Sequence, residues 1–301
     1  MSNVKSKISN IISIDIILFC YKQEQYIEQA LRSIFAQELP ENVSARIIVA
    51  DDASPDSTLA IIKRLAPESP FPIEFLPDEP NMGINKNYKR SFAATKAEYV
   101  AILEGDDYWL PNHLAQHVEF LRKHRKYSMS INSITFLEEG KSFLSGWAYP
   151  TSRVSISVEE QIACGNQLGN LTACVFRGDY LRALPAELFD QYIADWEIGI
   201  LIAQNGPICK YKESTSVYRL NPHGQWTQCD MCERTRSRIN TINLMNAMTN
   251  YKYRTQFAIV QQRIENNGPF SIVPYSRSMR IRIACRSFLK RIKNLLRHES
   301  K

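Results

Sequence analysis

Short apolar, β-rich runs alternate with stretches of helical period through the first half of the sequence, and that alternation leaves few folds open. Ile14–Cys20 reads as a strand, followed by Tyr26, Ile27, Ala30, Leu31, Ile34 and Phe35 at helical spacing. Arg46–Ala50 is a second strand. Asp56 or Ser57 then caps a helix carrying Leu59, Ile62 and Leu65. Ile73–Leu76 is a short third strand. A helix with Ile84, Tyr88 and Phe92 follows Asn81-Met82-Gly83. Tyr99–Leu103 is a fourth strand, and Pro111 opens a helix with Leu114, Val118 and Leu121 on one face. The pattern predicts an α/β fold with an open, mostly parallel sheet, whose ligands bind outside the carboxyl ends of the strands. The second half is less regular. Cys174–Arg177 and Ser216–Leu220 look like strands, Asp195–Ala203 looks helical, and a helical pattern runs on from about Asp230.

Polar clusters sit at those strand ends. Glu104-Gly105-Asp106-Asp107 packs three carboxylates into four residues directly after the fourth strand. Repulsion makes that costly without a cation, and hard oxygen ligands suit Mg²⁺ or Mn²⁺. The competing reading is a solvated acidic turn. Asp51 and Asp52 end the second strand, where a carboxylate accepts hydrogen bonds from a base or ribose or simply shapes a turn. Asp195 opens a predicted helix, as a general base for a sugar hydroxyl or as a helix-dipole partner. Tyr218-Arg219 and His223-Gly224-Gln225-Trp226 offer phosphate contacts (Arg219, His223) and a stacking ring (Trp226), against core packing and surface exposure. No Gly-x-Gly-x-x-Gly, Walker loop or Gly-x-Ser-x-Gly occurs, which removes support from dehydrogenases, P-loop enzymes and α/β-hydrolases.

With 301 residues, 44% of them hydrophobic, the chain can bury a sizeable core. Seven scattered cysteines form no disulfide framework and suggest a reducing compartment. Cys229 and Cys232 make a lone C-x-x-C with only His223 near, a weak zinc signal. No run has the length of a membrane span. Ile11–Tyr21 carries Asp15 and lacks a signal-peptide cleavage site, so a cytoplasmic protein is expected. The formal charge is +6, but residues 275–301 hold nine Lys/Arg against Glu299, so residues 1–274 carry −2. A basic nucleic-acid-binding body is therefore not expected. In the tail, Ile281, Cys285, Phe288, Ile292 and Leu295 share one helical face, with Arg282, Arg286, Lys290, Arg291, Lys293 and Arg297 around the rest. Such a helix suits peripheral contact of residues 277–297 with an anionic inner-membrane face, or packing on the main domain.

In this order, the clusters resemble family 2 of the glycosyltransferases, whose fold is called GT-A. Ile16–Lys22 with Tyr26-Ile27 and Ala30–Ile34 resembles the family's first strand and helix. Val49–Thr58 is similar to its "VDDGSTDGT" segment, and Asn81-Met82-Gly83 with Asn87 to the following "N-x-G…N" element. Glu104–Trp109 is similar to the D-x-D region in the form "EGDDYW", Asp195-Trp196 to the acidic motif of the catalytic base, and Tyr218–Thr227 to a late "YRxH…GxWS" element. The resemblance spans residues 14–227, about seven tenths of the chain.

It implies a GT-A domain over 1–227 and a helical, basic region over 228–301. It implies a nucleotide-sugar donor held by Tyr21, Asp51, Asp52, Asn81, Asn87, Glu104 and Asp106, with Tyr21 and Asp52 at the base and ribose. It further implies Mg²⁺ or Mn²⁺ on Asp106 with Glu104 as D-x-D partner, and Asp195 as general base. The reaction implied is inverting transfer to a saccharide or lipid-linked acceptor in bacterial surface-glycan assembly, lipopolysaccharide or capsule. Two departures stand out. Glu104 replaces the first aspartate, and the family histidine would fall on Asn221, so that either His223, two residues later, serves the metal-diphosphate group or that contact is lost. The polymerase motif Gln-x-x-Arg-Trp is absent, which favours adding one sugar. A sugar nucleotidyltransferase and a non-catalytic nucleotide-sugar-binding domain are the alternatives.

Overall fold

The structure is a computed structural model that describes residues 11–138, 140–145, 151–190, 195–220 and 231–267. Its first half follows the sequence pattern element by element: β1 (Ile12–Cys20), α1 (Ile27–Phe35), β2 (Val43–Asp51), α2 (Thr58–Leu65), β3 (Ile73–Phe75), α3 (Ile84–Ala94) and β4 (Tyr99–Glu104). The start of α2 belongs to both predicted candidates. Ser57 occupies the N-cap without a side-chain bond, while the Asp56 carboxylate accepts from Thr58 N at 3.1 Å. A two-residue strand β5 (Tyr108–Trp109) precedes α4 (His113–Lys123), which starts two residues past Pro111 with Asn112 as its cap.

The second half supplies β6 (Met129–Ile131), β7 (Ile134–Glu138), β8 (Lys141–Leu144), β9 (Arg153–Ile156), α5 (Val158–Ala163), β10 (Cys174–Arg177), α6 (Gly178–Arg182), α7 (Asp195–Ala203), β11 (Ile208–Tyr211) and β12 (Ser216–Arg219). Two further helices follow, α8 (Met231–Met248) and α9 (Arg254–Asn267). No helix among the described residues is long and apolar enough to cross a membrane. Residues 277–297, His223, Trp226 and Cys229 lie outside the described residues.

The main sheet has eight strands in the order β3-β2-β1-β4-β10-β6-β11-β9, and only β10 and β9 run against the rest. β1 lies in its parallel half, buried from Ile14 to Cys20, as expected of a strand covered on both faces. Alternate residues serve opposite faces. Ile14, Ile16 and Leu18 pack in one core layer with α1, α2 and α4, while Ile17 and Phe19 join the other with α3, α7, α8 and α9. The chain moves outward from β1 through β2 to β3, then returns to place β4 on the far side of β1. That reversal opens a crevice at the carboxyl ends of β1 and β4. A second sheet, β5-β12-β7-β8, stands beside this crevice.

One charge interrupts β1. Asp15 is 3% exposed and sits opposite Arg46 in the register of β1 and β2. Its carboxylate accepts two bonds from the Arg46 guanidinium, both 2.9 Å, and the backbone N–H groups of Lys96 and Ala97 at 2.6 and 3.0 Å. These contacts tie β1, β2 and the entry to β4 together. Burial pushes the carboxyl up, but Arg46 and the two N–H groups together hold it below its ordinary value. Asp15→Ala leaves the Arg46 guanidinium with Glu74 as its one remaining ion-pair partner among the described residues and strands two backbone donors, and should cost about 2–4 kcal/mol in denaturant unfolding at neutral pH. Because the folded carboxyl titrates below its unfolded value of 3.8, the contribution is complete above that value and drains as pH falls through the folded one. The gap between wild type and variant should therefore narrow toward pH 3. A gap that stayed constant would contradict this role.

Candidate active site

Two loops close the parallel half of the sheet at its carboxyl end. Lys22 after β1 and Ala53 after β2 both adopt left-handed backbone, with φ of 56° and 57°. They turn the loops toward each other. Lys22 N donates to Ser54 Oγ (3.1 Å), Gln23 N to Thr58 Oγ1 (2.8 Å) and Ser57 N to Glu24 Oε2 (3.0 Å). Tyr21 is left 41% exposed at the rim, with the Lys22 ammonium 5.0 Å from its ring centre.

The candidate nucleotide residues converge on this rim. The Asp51 carboxylate accepts from Ser54 N and Ser54 Oγ at 2.9 and 2.5 Å. Asp52 is buried, and its carboxylate accepts from Asn81 Nδ2 (3.1 Å), Met82 N (2.9 Å) and Gly83 N (2.9 Å). It thus fixes the loop before α3, where Gly83 takes a φ of 82° that a side chain would resist. Asn87 is buried too. It donates to Ala50 O at 2.9 Å and accepts from Arg90 Nε at 2.8 Å, and Arg90 in turn donates to Asp51 O at 2.6 Å. In this state Asp52, Asn81 and Asn87 bind one another's loops and shape the pocket wall.

The acidic turn follows β4. Gly105 lies against the β1 backbone, its N–H donating to Phe19 O at 2.8 Å. A Cβ there would stand 2.3 Å from Gln23 Oε1, 2.8 Å from Ile27 Cδ1 and 3.0 Å from Phe19 O, so only glycine fits without displacement. Carboxylate oxygens of Glu104, Asp106 and Asp107 all lie within 4.8 Å of one another. Asp107 is 1% exposed, and its charge is met by Asn170 Nδ2 (2.7 Å), Thr172 Oγ1 (2.7 Å) and Arg219 N (2.8 Å). Glu104 receives the Tyr88 hydroxyl at 3.3 Å. Burial, then the carboxylates of Asp107, Asp195 and Asp106, push the Glu104 carboxyl well above its ordinary range. Burial and Asp106 do the same to Asp107. An oxygen-only cluster under mutual repulsion fits a hard divalent cation such as Mg²⁺ or Mn²⁺.

Asp195, at the first turn of α7, is close enough to this cluster to raise the Glu104 carboxyl. Burial pushes Asp195 itself up to about 6, opposed by Asn166, whose amide donates at 3.4 Å, and by the nearby Arg238 of α8. A carboxyl tuned this way can accept a proton near neutral pH. The structure thus gathers Glu104, Asp106 and Asp195 at one crevice, with Tyr21, Asp51, Asp52, Asn81 and Asn87 along its β1–β2 rim. Arg219 braces the turn. It donates from Nε to Asp106 O (3.0 Å) and from its other end to Gln29 Oε1 (2.7 Å), with its guanidinium 4.5 Å over Tyr26.

Several site residues escaped the sequence reading. The loop before β10 supplies Asn166 to Asp195, and Asn170 and Thr172 to Asp107; Trp109 Nε1 also donates to Thr172 O at 2.8 Å. The "Gly-Asn-Leu-Thr" stretch that carries two of these was the available signal. Arg238 had none, because its helix comes after the recognisable motifs.

The crevice at a strand-order reversal, lined by clustered carboxylates, is the arrangement of a GT-A nucleotide-sugar fold. Residues 15–162 match the sequence profile of glycosyl transferase family 2. An uncharacterized protein of Mycobacterium tuberculosis is 30% identical over 212 residues, 70% of this chain and 60% of that one. The amylovoran biosynthesis glycosyltransferase AmsE of Erwinia amylovora is 26% identical over 195 residues, 64% of this chain and 70% of that one. Among solved structures, S. aureus TarS in complex with UDP-GlcNAc superposes with a TM-score of 0.64 at 14% identity, covering 84% of this chain and 73% of that one. The mannosyltransferase PcManGT from Pyrobaculum calidifontis, in complex with GDP-Man and Mn²⁺, gives 0.58 at 16%, covering 82% and 68%. Residues 15–162 form a glycosyl transferase family 2 domain, and the chain has the GT-A fold. It spans about 60% of the length of the mycobacterial relatives it matches.

Gly105→Ala tests the turn. The added methyl should force the turn off β1, costing roughly 1–3 kcal/mol of stability and weakening binding of Mn²⁺ with UDP or GDP. A variant with unchanged melting and nucleotide affinity would show that the turn relaxes freely.

Proposed function

We propose that this protein is an inverting glycosyltransferase that moves one sugar from a nucleotide-sugar donor to a hydroxyl of a saccharide or lipid-linked acceptor. The observation that carries this reading is the meeting of a proton-accepting carboxyl, Asp195, with the Glu104–Asp107 cluster in a single crevice. Tyr21 and the β1–β2 rim, with Asp52 shaping its wall, hold the base and ribose. Asp106, with Glu104 beside it and His223 from beyond the described residues, would hold Mg²⁺ or Mn²⁺. When bound, that ion neutralises charge on the departing nucleoside diphosphate. Asp195 accepts the proton of the acceptor hydroxyl as its oxygen attacks the anomeric carbon. Burial raises the basicity of Asp195, and Asn166 and Arg238 keep it ionised near neutral pH. The donor sugar then leaves its nucleotide with inversion, in one displacement. Likeness to an amylovoran glycosyltransferase supports a role in bacterial surface-polysaccharide assembly, such as lipopolysaccharide or capsule.

The test is release of nucleoside diphosphate from a panel of UDP-, GDP- and dTDP-sugars, with Mg²⁺ or Mn²⁺, with and without acceptor. Asp106→Ala and chelation should each remove most turnover. Asp195→Asn should lower it by about 10²–10⁴-fold, the usual loss of a general base, with nucleotide affinity unchanged. Pyrophosphate release would indicate a nucleotidyltransferase instead. Binding of nucleotide sugar without turnover on any acceptor would indicate a binding domain.

The same reading gives the basic tail a use. Residues 277–297 bring the enzyme to an anionic membrane where lipid-linked acceptors are presented, with each Lys or Arg contributing on the order of 1 kcal/mol near the surface. Sedimentation with phosphatidylglycerol vesicles should carry down the full chain, less so in high salt, and should fail for a chain ending near Pro274. Equal sedimentation of both would end this idea.

A further inference from the structure

The small sheet carries a row of aromatic rings that the proposed chemistry does not use. Tyr218 of β12, Phe136 of β7 and Phe143 of β8 are direct cross-strand partners in its register, so all three side chains stand on one face. Phe136 meets Tyr218 edge-to-face at 5.8 Å and stacks on Phe143 at 5.3 Å with 20° between planes. The row starts at the reaction centre. Tyr218 is the neighbour of Arg219, whose backbone N–H donates to Asp107 Oδ1 at 2.8 Å, and burial, then the carboxylates of Glu104, Asp107, Asp195 and Asp106, push the Tyr218 phenol up. It ends in water, with Phe143 49% exposed. The same face looks toward the loop that positions Asp107, since a Cβ on Gly169 would stand 2.2 Å from Ile134 Cδ1, two residues before Phe136.

An exposed phenylalanine at the end of a continuous aromatic row needs a reason. Within the fold, Phe143 is not required to seal the core, for neither core cluster includes it. Beyond Phe143 on the same face of the hairpin comes the Glu138–Lys141 cross-strand pair, so polar groups border the strip there, while the exposed Leu144 points to the opposite face. A membrane surface calls for a broader apolar face with basic flanks. A pyranose ring offers one face of polarised C–H groups to the negative face of an aromatic ring, and hydroxyls at its edge to polar neighbours.

We propose that Tyr218, Phe136 and Phe143 form an acceptor rail: sugar units of an oligosaccharide acceptor rest along this row, so that its terminal hydroxyl is delivered to Asp195. The inference rests on the transferase reading and assigns the acceptor as a saccharide of more than one unit. Phe143 then acts on acceptor affinity from a distance, and takes no part in donor binding.

The experiment uses the full chain and Phe143→Ser, an exposed site that tolerates the change, with Phe136→Ala as a second variant. Each is applied to a panel of immobilised bacterial surface oligosaccharides, to free UDP and GDP with Mn²⁺, and to phosphatidylglycerol vesicles. The wild type should bind at least one oligosaccharide. Phe143→Ser should weaken that binding about tenfold or more while nucleotide affinity stays within twofold. Oligosaccharide binding unchanged in both variants would overturn the rail, as would a wild type that binds no saccharide on the panel. Loss of vesicle binding in Phe143→Ser, with saccharide binding intact, would overturn it in favour of a membrane contact. Failure of the wild type to bind either nucleotide would count against the donor-site reading and leave the saccharide result to judge the rail alone.

Discussion

The buried carboxylate of Asp107 is the joint on which this architecture turns. A carboxyl group at 1% exposure is costly unless its oxygens are paired, and here the three donors come from two different parts of the fold. Asn170 and Thr172 belong to the loop before β10, in the main sheet, and Arg219 N belongs to β12, in the small one. The chain leaves the main sheet at Glu104 and enters the small sheet at Tyr108. The turn between is therefore the hinge of the two sheets, and Asp107 locks it. Glu104 and Asp106 closely precede the locked residue, and its bonds fix their positions too. Such preorganisation spares the reorganisation that a flexible acidic loop would need on cation binding.

The surrounding electrostatics have one direction. Burial raises the proton affinity of Glu104, Asp107 and Asp195, and neighbouring carboxylates add to it at Glu104 (Asp107, Asp195 and Asp106) and at Asp107 (Asp106). Arg238 and the amide of Asn166 moderate it only at Asp195. A site tuned this way distinguishes its carboxylates by environment. The turn retains an excess of negative charge that a divalent cation relieves, whereas Asp195 has partners that keep a single carboxyl usable near neutral pH. Arg238 also sits 3.9 Å from the buried Glu197 and over the ring of Trp196, so α8 adjusts the site through its packing on α7.

Most of the parallel half was legible in the sequence. Its strands are continuous apolar runs and its helices have apolar faces, so local periodicity encodes both. The strand-end carboxylates stood out because charge clusters beside buried strands are conspicuous. The small sheet was mostly illegible. β5 has two residues and β8 four, all four of the latter exposed, and neither length nor pattern marks them as strands. Asn170 and Thr172 were unreadable for another reason. Their meaning comes from Asp107, 63 and 65 positions away, and an Asn or Thr in a loop has many local uses. Asp52 was read from its place at the end of β2, but that its carboxylate shapes the loop before α3 depended on Met82 N and Gly83 N, groups common to every residue.

The division of labour between the sheets has a consequence for how such a chain can vary. The rim at β1 and β2 is built from parallel strands buried on both faces, where a change in one loop propagates through Lys22–Ser54 and Asp52–Gly83 contacts into the core. The small sheet is held in place through the Asp107 joint, through buried Trp109, whose backbone N–H donates to Ser33 Oγ and whose Nε1 donates to Thr172 O, and through the Ser216–Asn132 hydrogen bond. Its far edge strand, β8, pairs with β7 alone among the described strands. Substitutions at Phe143 or along β8 therefore disturb neither the carboxylate cluster nor the β1–β2 rim. On the reading proposed here, donor recognition is bound to the stability of the fold, while the acceptor side rests on an edge that can change its chemistry at little structural cost.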